Sequence, residues 1–236
     1  MVALNNTLTS ASTPALLLFS RSAKAEARHK RLAAKAINQD MLASLIQHAR
    51  REAISSGLPY FQHTEQEQVG HTFGQKLTHS IQSIFNDGQE SLIVMGNDCP
   101  NLSAAQLQNI ARDLQRHDMV LGPAHNGGLY FIALRKNAFN SSAFQALPWQ
   151  KSNLQKAAQQ YAILLGLEVK WYPGSRDLNN ESDVRVFTQK YRHHHLSRLW
   201  SHLKCVARGS SAPYFNSYIS RPVVAYHGLR APPAPM

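Results

Sequence analysis

Short apolar runs alternate with longer stretches of helical periodicity through residues 14–190. The runs at 15–20, 91–95 and 119–122 are apolar and are bounded by polar residues or glycine, a pattern typical of buried strands. Residues 74–85 and 103–116 carry apolar side chains three or four positions apart, which indicates amphipathic helices. This alternation predicts an α/β fold with three layers and a mostly parallel sheet.

Turn and cap signals set the limits of the other predicted elements. Residues 23–54 contain neither Gly nor Pro and predict a helix, broken once near 38–40, where the sequence reads Asn-Gln-Asp. A turn at 57–59 leads into a second strand, and Asn-Asp-Gly at 86–88 ends the following helix. Asn-Gly-Gly at 126–128 predicts a hairpin, after which a helix over 151–165 and a strand over 168–172 complete the domain.

The two ends of the chain differ from this domain. Residues 1–13 are rich in Ser, Thr and Asn and predict a flexible lead-in. Residues 191–236 form a basic extension that contains Pro and Ser, and its last part is expected to be disordered. The extension opens with an amphipathic stretch, for which packing on the domain's own surface is favoured over docking on a partner. The apolar residues of this stretch are Leu196, Leu199, Trp200 and Leu203.

Composition narrows the class of protein. Hydrophobic residues make up 43% of the chain, which is enough for a sizeable core. The sequence contains no run of about 18 apolar residues, so no membrane span is expected. The two cysteines, Cys99 and Cys205, are far apart in sequence, which argues against a disulfide framework and for a cytoplasmic protein.

The formal net charge is +11, and much of it lies at the C-terminal end. From residue 190 onward there is no acidic residue, while seven Lys and Arg residues are present: Lys190, Arg192, Arg198, Lys204, Arg208, Arg221 and Arg230. Such a balance suits a nucleotide or a nucleic acid as partner, although a solvated basic tail is the simpler interpretation.

Asp98 is the strongest candidate for chemistry. It follows the predicted strand 91–95 by three residues, and ligands of open α/β sheets bind at the carboxyl ends of strands. A hard cation such as Mg²⁺ takes oxygen ligands, so one carboxylate plus phosphate oxygens would suffice. Gly96 allows close backbone approach, and Pro100 stiffens the exit of the loop. The alternative is that Asp98 merely stabilises a turn.

Three other features have a functional and a structural interpretation. The glycines around residues 122–128 could admit a sugar or ribose, or could simply form the hairpin turn. Cys99 could be a nucleophile, but a small buried side chain is favoured. His193, His194 and His195 could bind a metal, but successive helical residues point in different directions, which favours a solvated run.

Five ordered motifs resemble the rSAM/selenodomain-associated transferase 1 family over residues 15–188. The segment GNDCPNLSAAQLQ…VLGPAHNGGLYFIAL resembles that family's GsDcPdL…GPaeDGGYyLiGl pattern. Further matches begin at Phe19, Gly70, Leu147 and Asp177. The resemblance implies a glycosyltransferase-A-like, nucleotide-diphospho-sugar-transferase-like fold, similar to molybdenum-cofactor guanylyltransferases and phospholactate guanylyltransferase.

The resemblance also implies a site. Asp98 would hold Mg²⁺ or Mn²⁺, with Asp177 and Asp183 as support, and the ion would bridge the phosphates of a nucleotide or nucleotide-sugar donor. Donor-binding residues would be Arg21, Lys30, Arg31, Gly96, Asn126, Gly127 and Gly128, and no catalytic base is identified.

This sequence departs from the family pattern at two places. Amides replace the family's carboxylates at Asn126 and Asn179, which removes negative charge from the metal site. The first loop has lost its Pro and Gly, so helix is expected to continue through it and leave no phosphate cradle. Three functions therefore stand in order: a metal-dependent transferase, a catalytically degenerate binding module, and a basic nucleic-acid-binding protein.

Overall fold

The computed structural model describes residues 13–207 and contains a six-stranded sheet. The order of the strands across the sheet is β2-β1-β3-β5-β4-β6. Their bounds are β1 Ala15–Phe19, β2 Tyr60–His63, β3 Ser91–Met95, β4 Met119–Pro123, β5 Leu129–Arg135 and β6 Val169–Trp171. The predictions for residues 1–12 and for the Pro-containing end after 207 lie outside the described residues.

The sheet is mixed, with one strand reversed. Strand β1 pairs in parallel with β2 and β3, and β4 pairs in parallel with β6. Strand β5 runs antiparallel to both β3 and β4, because the turn at 126–128 joins it to β4 as a hairpin. The predicted fold class, three layers around a mostly parallel sheet, is confirmed.

Helices cover both faces of the sheet because side chains alternate along each strand. Leu17 faces the core formed with α3 (Phe73–Asn86), α5 (Ser141–Gln145) and α6 (Leu154–Leu164). Leu16 and Leu18 face the opposite core, formed with α2 (Lys35–Ser55) and α4 (Ala104–Leu114). Capping boxes at Thr72 and Ser103 begin α3 and α4, and Ser103 is the first residue of the predicted helix 103–116.

The first helical region differs from its prediction. A short helix α1 (Ala23–Glu26) ends early, and the chain turns through residues 27–34 before α2 begins. The predicted break near 38–40 is wrong, because Asn38 lies inside α2 and fastens the preceding turn. Its side-chain oxygen accepts hydrogen bonds from the backbone N–H groups of Leu32 and Ala33, and its amide donates to the carbonyl of Lys30.

Two further helices pack on the outer side of α2. Helix α7 (Glu181–Lys190), which the sequence analysis missed, and α8 (His195–Ala207) form a third apolar cluster with α2. Trp200 is fully buried there, and its indole N–H donates to the hydroxyl of Ser44 at 2.8 Å. The predicted packing of the amphipathic stretch on the domain itself is therefore confirmed. Within residues 13–207, no helix is both long and apolar enough to cross a membrane.

Candidate functional site

A cleft of about 700 Å³ opens at the carboxyl ends of β1 and β3. Its volume falls in the range of small-molecule sites, roughly 300–1,000 Å³. Basic side chains on its wall are Arg21, Lys30, Lys76 and Lys151, and acidic ones are Glu26, Asp98 and Asp177. Aromatic side chains include Phe19, Phe73, Tyr130, Phe131 and Trp149. The cleft thus combines a basic rim, a small acidic centre and flat apolar surfaces.

The acidic centre begins with an ion-pair chain between α1 and the loop after β3. Lys30 Nζ lies 2.5 Å from Asp98 Oδ1 and 3.7 Å from Glu26 Oε1. Arg21 Nη1 lies 3.0 Å from the other oxygen of Glu26. Lys30 and Glu26 are largely buried, whereas Arg21 and Asp98 are each about one-third exposed. Arg21 and Asp98 therefore present their charges to the cleft.

The first loop brings Lys30 to this position without a glycine. Ser22 caps α1, and its backbone N–H and hydroxyl both donate to the carboxylate of Glu65. Asn38 holds the Lys30 carbonyl from the other side. The expectation that helix continues through this loop is therefore wrong, because these side chains turn the backbone.

Asp177 completes the acidic centre. Burial raises the pKa of its carboxyl to about 7, and the charge of Asp98 adds to that shift, while Lys30 and a hydrogen bond from Asn126 oppose it. The chain around Asp177 is held next to Asp98 because the backbone N–H of Leu178 donates to the carbonyl oxygen of Asp98 at 2.8 Å. Within residues 13–207, Asp177 Oδ1 has no hydrogen-bond partner.

These groups fit a divalent cation in part. Asp98 and Asp177 supply two carboxylates whose charges act on each other, and the unpartnered oxygen of Asp177 is free to act as a ligand. Asn126 and Asn179 also line the cleft and offer amide oxygens without charge. Lys30 opposes a cation, because its ammonium already neutralises Asp98.

Some residues expected to bind the donor line the cleft. Gly96 faces open space, since a Cβ there would meet no atom nearer than 4.0 Å, so a ligand can approach its backbone. Asn126 and Gly128 also line it, and Asn126 Oδ1 accepts from the N–H of Gly128. Gly127 serves packing instead, because a Cβ there would lie 2.0 Å from the carbonyl oxygen of Ser152.

Two other predicted site residues stand outside the cleft wall. Arg31 is exposed and forms an isolated backbone bridge with Asn180. Asp183 accepts from Arg176 and from the backbone N–H of Asn179, so it organises the start of α7. Neither side chain lines the cleft, although the charge of Asp183 adds to the raised pKa of Asp177.

The structure adds cleft residues that the sequence analysis did not select. Glu26 links Arg21 to Lys30, and Lys76 and Lys151 add positive charge from α3 and from the turn before α6. Trp149 contributes an aromatic wall, and Gly74 leaves room for it, since a Cβ at Gly74 would lie 2.7 Å from the indole. Gly74 lies in the motif that begins at Gly70, and Trp149 lies in the motif that begins at Leu147, so these two motifs could have indicated the aromatic wall.

Cys99 is a structural residue. Burial raises the pKa of its thiol to about 11, and the sulfur lies 3.1 Å from the hydroxyl of Ser175. A thiol in this state is protonated at neutral pH and is a poor nucleophile. The structure therefore agrees with the interpretation of Cys99 as a small buried side chain.

Comparisons with known proteins identify a family for this chain and support its fold. The family described as "Uncharacterized protein conserved in bacteria (DUF2064)" matches residues 21–151, which is more than half of the chain. No protein of curated function matches the sequence. Among solved structures, a "putative nucleotide-diphospho-sugar transferase" from Desulfovibrio desulfuricans G20 superposes with a TM-score of 0.68 at 21% identity. The match covers 84% of this chain and 98% of that protein, which supports the predicted fold.

Two other solved structures are more distant. The manganese complex of Rv0371C from Mycobacterium tuberculosis H37Rv gives a TM-score of 0.45 at 12% identity, covering 75% of this chain and 99% of that one. CMP:2-keto-3-deoxy-manno-octonic acid synthetase complexed with CTP gives 0.44 at 8% identity, covering 83% and 99%. Similarities this weak add nothing to what the cleft itself indicates.

Proposed function

Since this chain belongs to DUF2064, a family of uncharacterized proteins conserved in bacteria, its activity has to be inferred from its site, and we propose a metal-dependent transferase. The donor would be a nucleotide-activated compound, either a nucleotide sugar or a nucleoside triphosphate. The transferred group would accordingly be a glycosyl or a nucleotidyl group. The nucleotide-diphospho-sugar-transferase-like fold agrees with this proposal.

The pair of carboxylates in the cleft carries the proposal. Asp98 and Asp177 interact strongly enough that the Asp98 charge helps to raise the pKa of Asp177 to about 7. Two carboxylates brought together at the carboxyl ends of strands are unfavourable unless a cation or a proton lies between them. Lys30 offsets part of this repulsion in the free protein, and a divalent ion would offset more of it.

The rest of the cleft suits a phosphate-bearing donor. Arg21, Lys76 and Lys151 bring positive charge to its wall, which attracts and orients phosphate oxygens. The open face of Gly96 allows the donor to lie against the backbone of the loop that carries Asp98. The indole of Trp149 and the ring of Phe73, 5.9 Å apart, offer apolar surface for a base or a sugar.

Asp98 and Asp177 would hold the divalent ion, with the amide oxygens of Asn126 and Asn179 beside them. When bound, such an ion neutralises negative charge on the phosphates and on the leaving group. Lys30 would have to release Asp98 or contact the phosphates itself.

A second candidate function, a catalytically degenerate module that binds a ligand without transfer, is favoured by the Lys30–Asp98 contact. The ammonium occupies a position beside Asp98 that a metal ion would need. Asn126 and Asn179 stand where the similar family has carboxylates, so the cleft lacks two negative charges that would attract such an ion. In that case the cleft would bind an anionic ligand through its basic residues, and binding would not depend on Mg²⁺ or Mn²⁺.

Thermal unfolding separates the two candidates. The full chain would be heated with GTP, CTP, UDP-glucose or GDP-mannose, each with Mn²⁺, with Mg²⁺ or with a chelator. The transferase proposal predicts a rise in Tm that needs both a nucleotide and a metal and is lost in Asp98→Ala. A rise that is the same with the chelator favours the binding module, and no rise with any of the four ligands contradicts both.

A further inference from the structure

Three histidine rings meet on the outer side of α2, away from the cleft. His48 comes from the middle of α2, and His194 and His195 come from the start of α8. Their ring centroids lie 4.5–5.1 Å apart, and one ligand atom from each ring lies within 4.8 Å of the other two. The run of three consecutive histidines did not indicate this cluster. Only His194 and His195 of that run belong to it, and the third member, His48, is distant in sequence.

His48 is buried, and only one of its two ring nitrogens has a hydrogen-bond partner among the described residues. The residue is only 4% exposed, and its Nε2 lies 2.8 Å from the backbone carbonyl oxygen of Pro100. A carbonyl can only accept, so Nε2 carries the proton and Nδ1 presents a lone pair. Within residues 13–207, Nδ1 has no hydrogen-bond partner. A ring nitrogen held by a carbonyl on one side and open on the other is the usual arrangement of a metal ligand.

The surroundings keep the three rings neutral, which is the form that binds a metal. Burial lowers the pKa of His48 and His194, and it lowers that of His195 to about 4, with a further contribution from the neighbouring rings. Glu52 adds a negative charge, since its Oε1 lies 3.7 Å from His48 Nδ1. Neutral nitrogen ligands beside one carboxylate favour a divalent cation, whereas the positive charge of Arg51 opposes one.

We propose that His48, His194 and His195 form a binding site for a divalent transition-metal ion of the Zn²⁺ type. Imidazole ligands suit Zn²⁺, Ni²⁺ and Cu²⁺, whereas the carboxylates of the cleft suit Mg²⁺ or Mn²⁺. Three protein ligands leave one position for water or for Glu52. The ion would fasten α8 onto α2 and, through the hydrogen bond from His48 to Pro100, would support the loop that carries Asp98.

Arg51 competes for this site. Its Nη2 lies 2.6 Å from His195 Nε2, so in the free protein the guanidinium uses a lone pair that the ion would need. Arg51 is exposed and can turn into solvent when the ion binds. Replacing Arg51 should therefore strengthen metal binding, whereas replacing a histidine ligand should weaken it.

The test is titration of the chelator-treated full chain with Co²⁺, whose visible absorption reports nitrogen coordination, followed by competition with Zn²⁺. We expect the wild type to bind one Co²⁺, and His194→Ala and His195→Ala each to raise Kd at least about tenfold. Arg51→Gln, which keeps all three rings, should lower Kd. The matched control is His193→Ala, the exposed neighbour outside the cluster, which should leave Kd unchanged.

Two results would overturn this proposal. One is the absence of any Co²⁺ spectrum at equimolar ion in both the wild type and Arg51→Gln, and the other is an equal loss of affinity in His193→Ala and His195→Ala. Circular dichroism of each variant confirms that it is folded. The titration contains no nucleotide, and Asp98→Asn should behave as the wild type, so failure here leaves the proposal for the cleft untouched.

Discussion

Lys30 Nζ lies 2.5 Å from Asp98 Oδ1, so the lysine of the first loop neutralises the carboxylate best placed to hold a metal. The lysine side chain is 9% exposed and cannot exchange this contact for water without moving. A divalent ion that binds Asp98 through Oδ1 therefore has to displace the ammonium. The strength of this contact decides whether the cleft binds a metal.

Replacing Lys30 with methionine should separate its two effects. Lys30→Met frees Asp98 and should strengthen Mn²⁺ binding to the nucleotide-free protein roughly tenfold, or about 1.4 kcal/mol. The same change should weaken nucleotide binding at saturating Mn²⁺, because the cleft loses a positive charge. Isothermal titration calorimetry measures both.

The matched control for this prediction is Lys24→Met. Lys24 lies on the short helix α1 that precedes Lys30, is exposed and does not line the cleft, so the change alters net charge equally without touching Asp98. Equal changes in Mn²⁺ affinity for the two variants would show that long-range charge, and not the contact with Asp98, controls the site.

The raised pKa of Asp177 predicts how stability depends on pH in the metal-free protein. Its folded-state pKa is about 7, above its usual value, so the folded protein holds the proton more tightly than the unfolded chain. Stability is therefore highest below the unfolded pKa near 4 and falls as pH rises toward 7. Asp177→Asn removes this titration and should be more stable than the wild type at pH 8, by roughly 1–2 kcal/mol.

Urea denaturation with a chelator present, at pH 4 and at pH 8, tests this sign. The advantage of Asp177→Asn should be small at pH 4, where the wild-type carboxyl is protonated in the folded state and roughly half protonated in the unfolded chain. Excess Mn²⁺ at pH 8 should also restore stability to the wild type but not to the variant. A variant that is less stable than the wild type at pH 8 without metal would refute the account of Asp177.

Gly127 should prove to be a packing residue. It has φ +87°, and a Cβ would lie 2.0 Å from the Ser152 carbonyl oxygen, so Gly127→Ala should destabilise the fold by about 2–4 kcal/mol. Gly88 has a similar φ of +94° but open space around it, so Gly88→Ala should cost only about 1–2 kcal/mol. Equal losses of unfolding free energy in denaturant titrations would mean that the contact with Ser152 is not limiting.

Trp200 should show that α8 contributes to the stability of the domain. Its side chain is fully buried between α2 and α7, so Trp200→Ala should lower the free energy of unfolding by about 3–5 kcal/mol. Trp171, at the edge of the sheet and 36% exposed, provides the comparison, and its replacement by Ala should cost less than about 1 kcal/mol. A Trp200→Ala variant as stable as Trp171→Ala would show that α8 is dispensable.

The fold was predictable because its signals are local. The apolar run 91–95, the Ser103 cap and the Asn-Gly-Gly turn each specify one element, and their alternation leaves few topologies. The break between α1 and α2 was misplaced because it depends on Asn38, whose side chain bonds backward to the turn. Sequence propensity treats Asn as a helix breaker and cannot foresee that tertiary role.

The site was predictable only where a motif marked it. Asp98 and Asn126 lie in recognisable motifs, and both line the cleft. The Lys30–Asp98 contact and the His48–His194 contact join residues 68 and 146 positions apart, and no periodicity encodes such pairs. Arg31 also lies in a motif but does not line the cleft, because the path of the backbone decides which of two adjacent basic residues reaches it.

Metal-dependent binding of a nucleotide donor at the carboxylates of the cleft is tested by a calorimetric titration of GTP, CTP, UDP-glucose and GDP-mannose into the full chain with and without Mn²⁺. Asp98→Asn and Asp40→Asn are compared because both remove one acidic charge, but Asp40 is exposed on α2 and does not line the cleft. We predict that at least one ligand binds only with Mn²⁺, at least about tenfold more weakly in Asp98→Asn and unchanged in Asp40→Asn. Binding that is indifferent to Mn²⁺, or equal in the two variants, would contradict a metal-dependent donor site at Asp98.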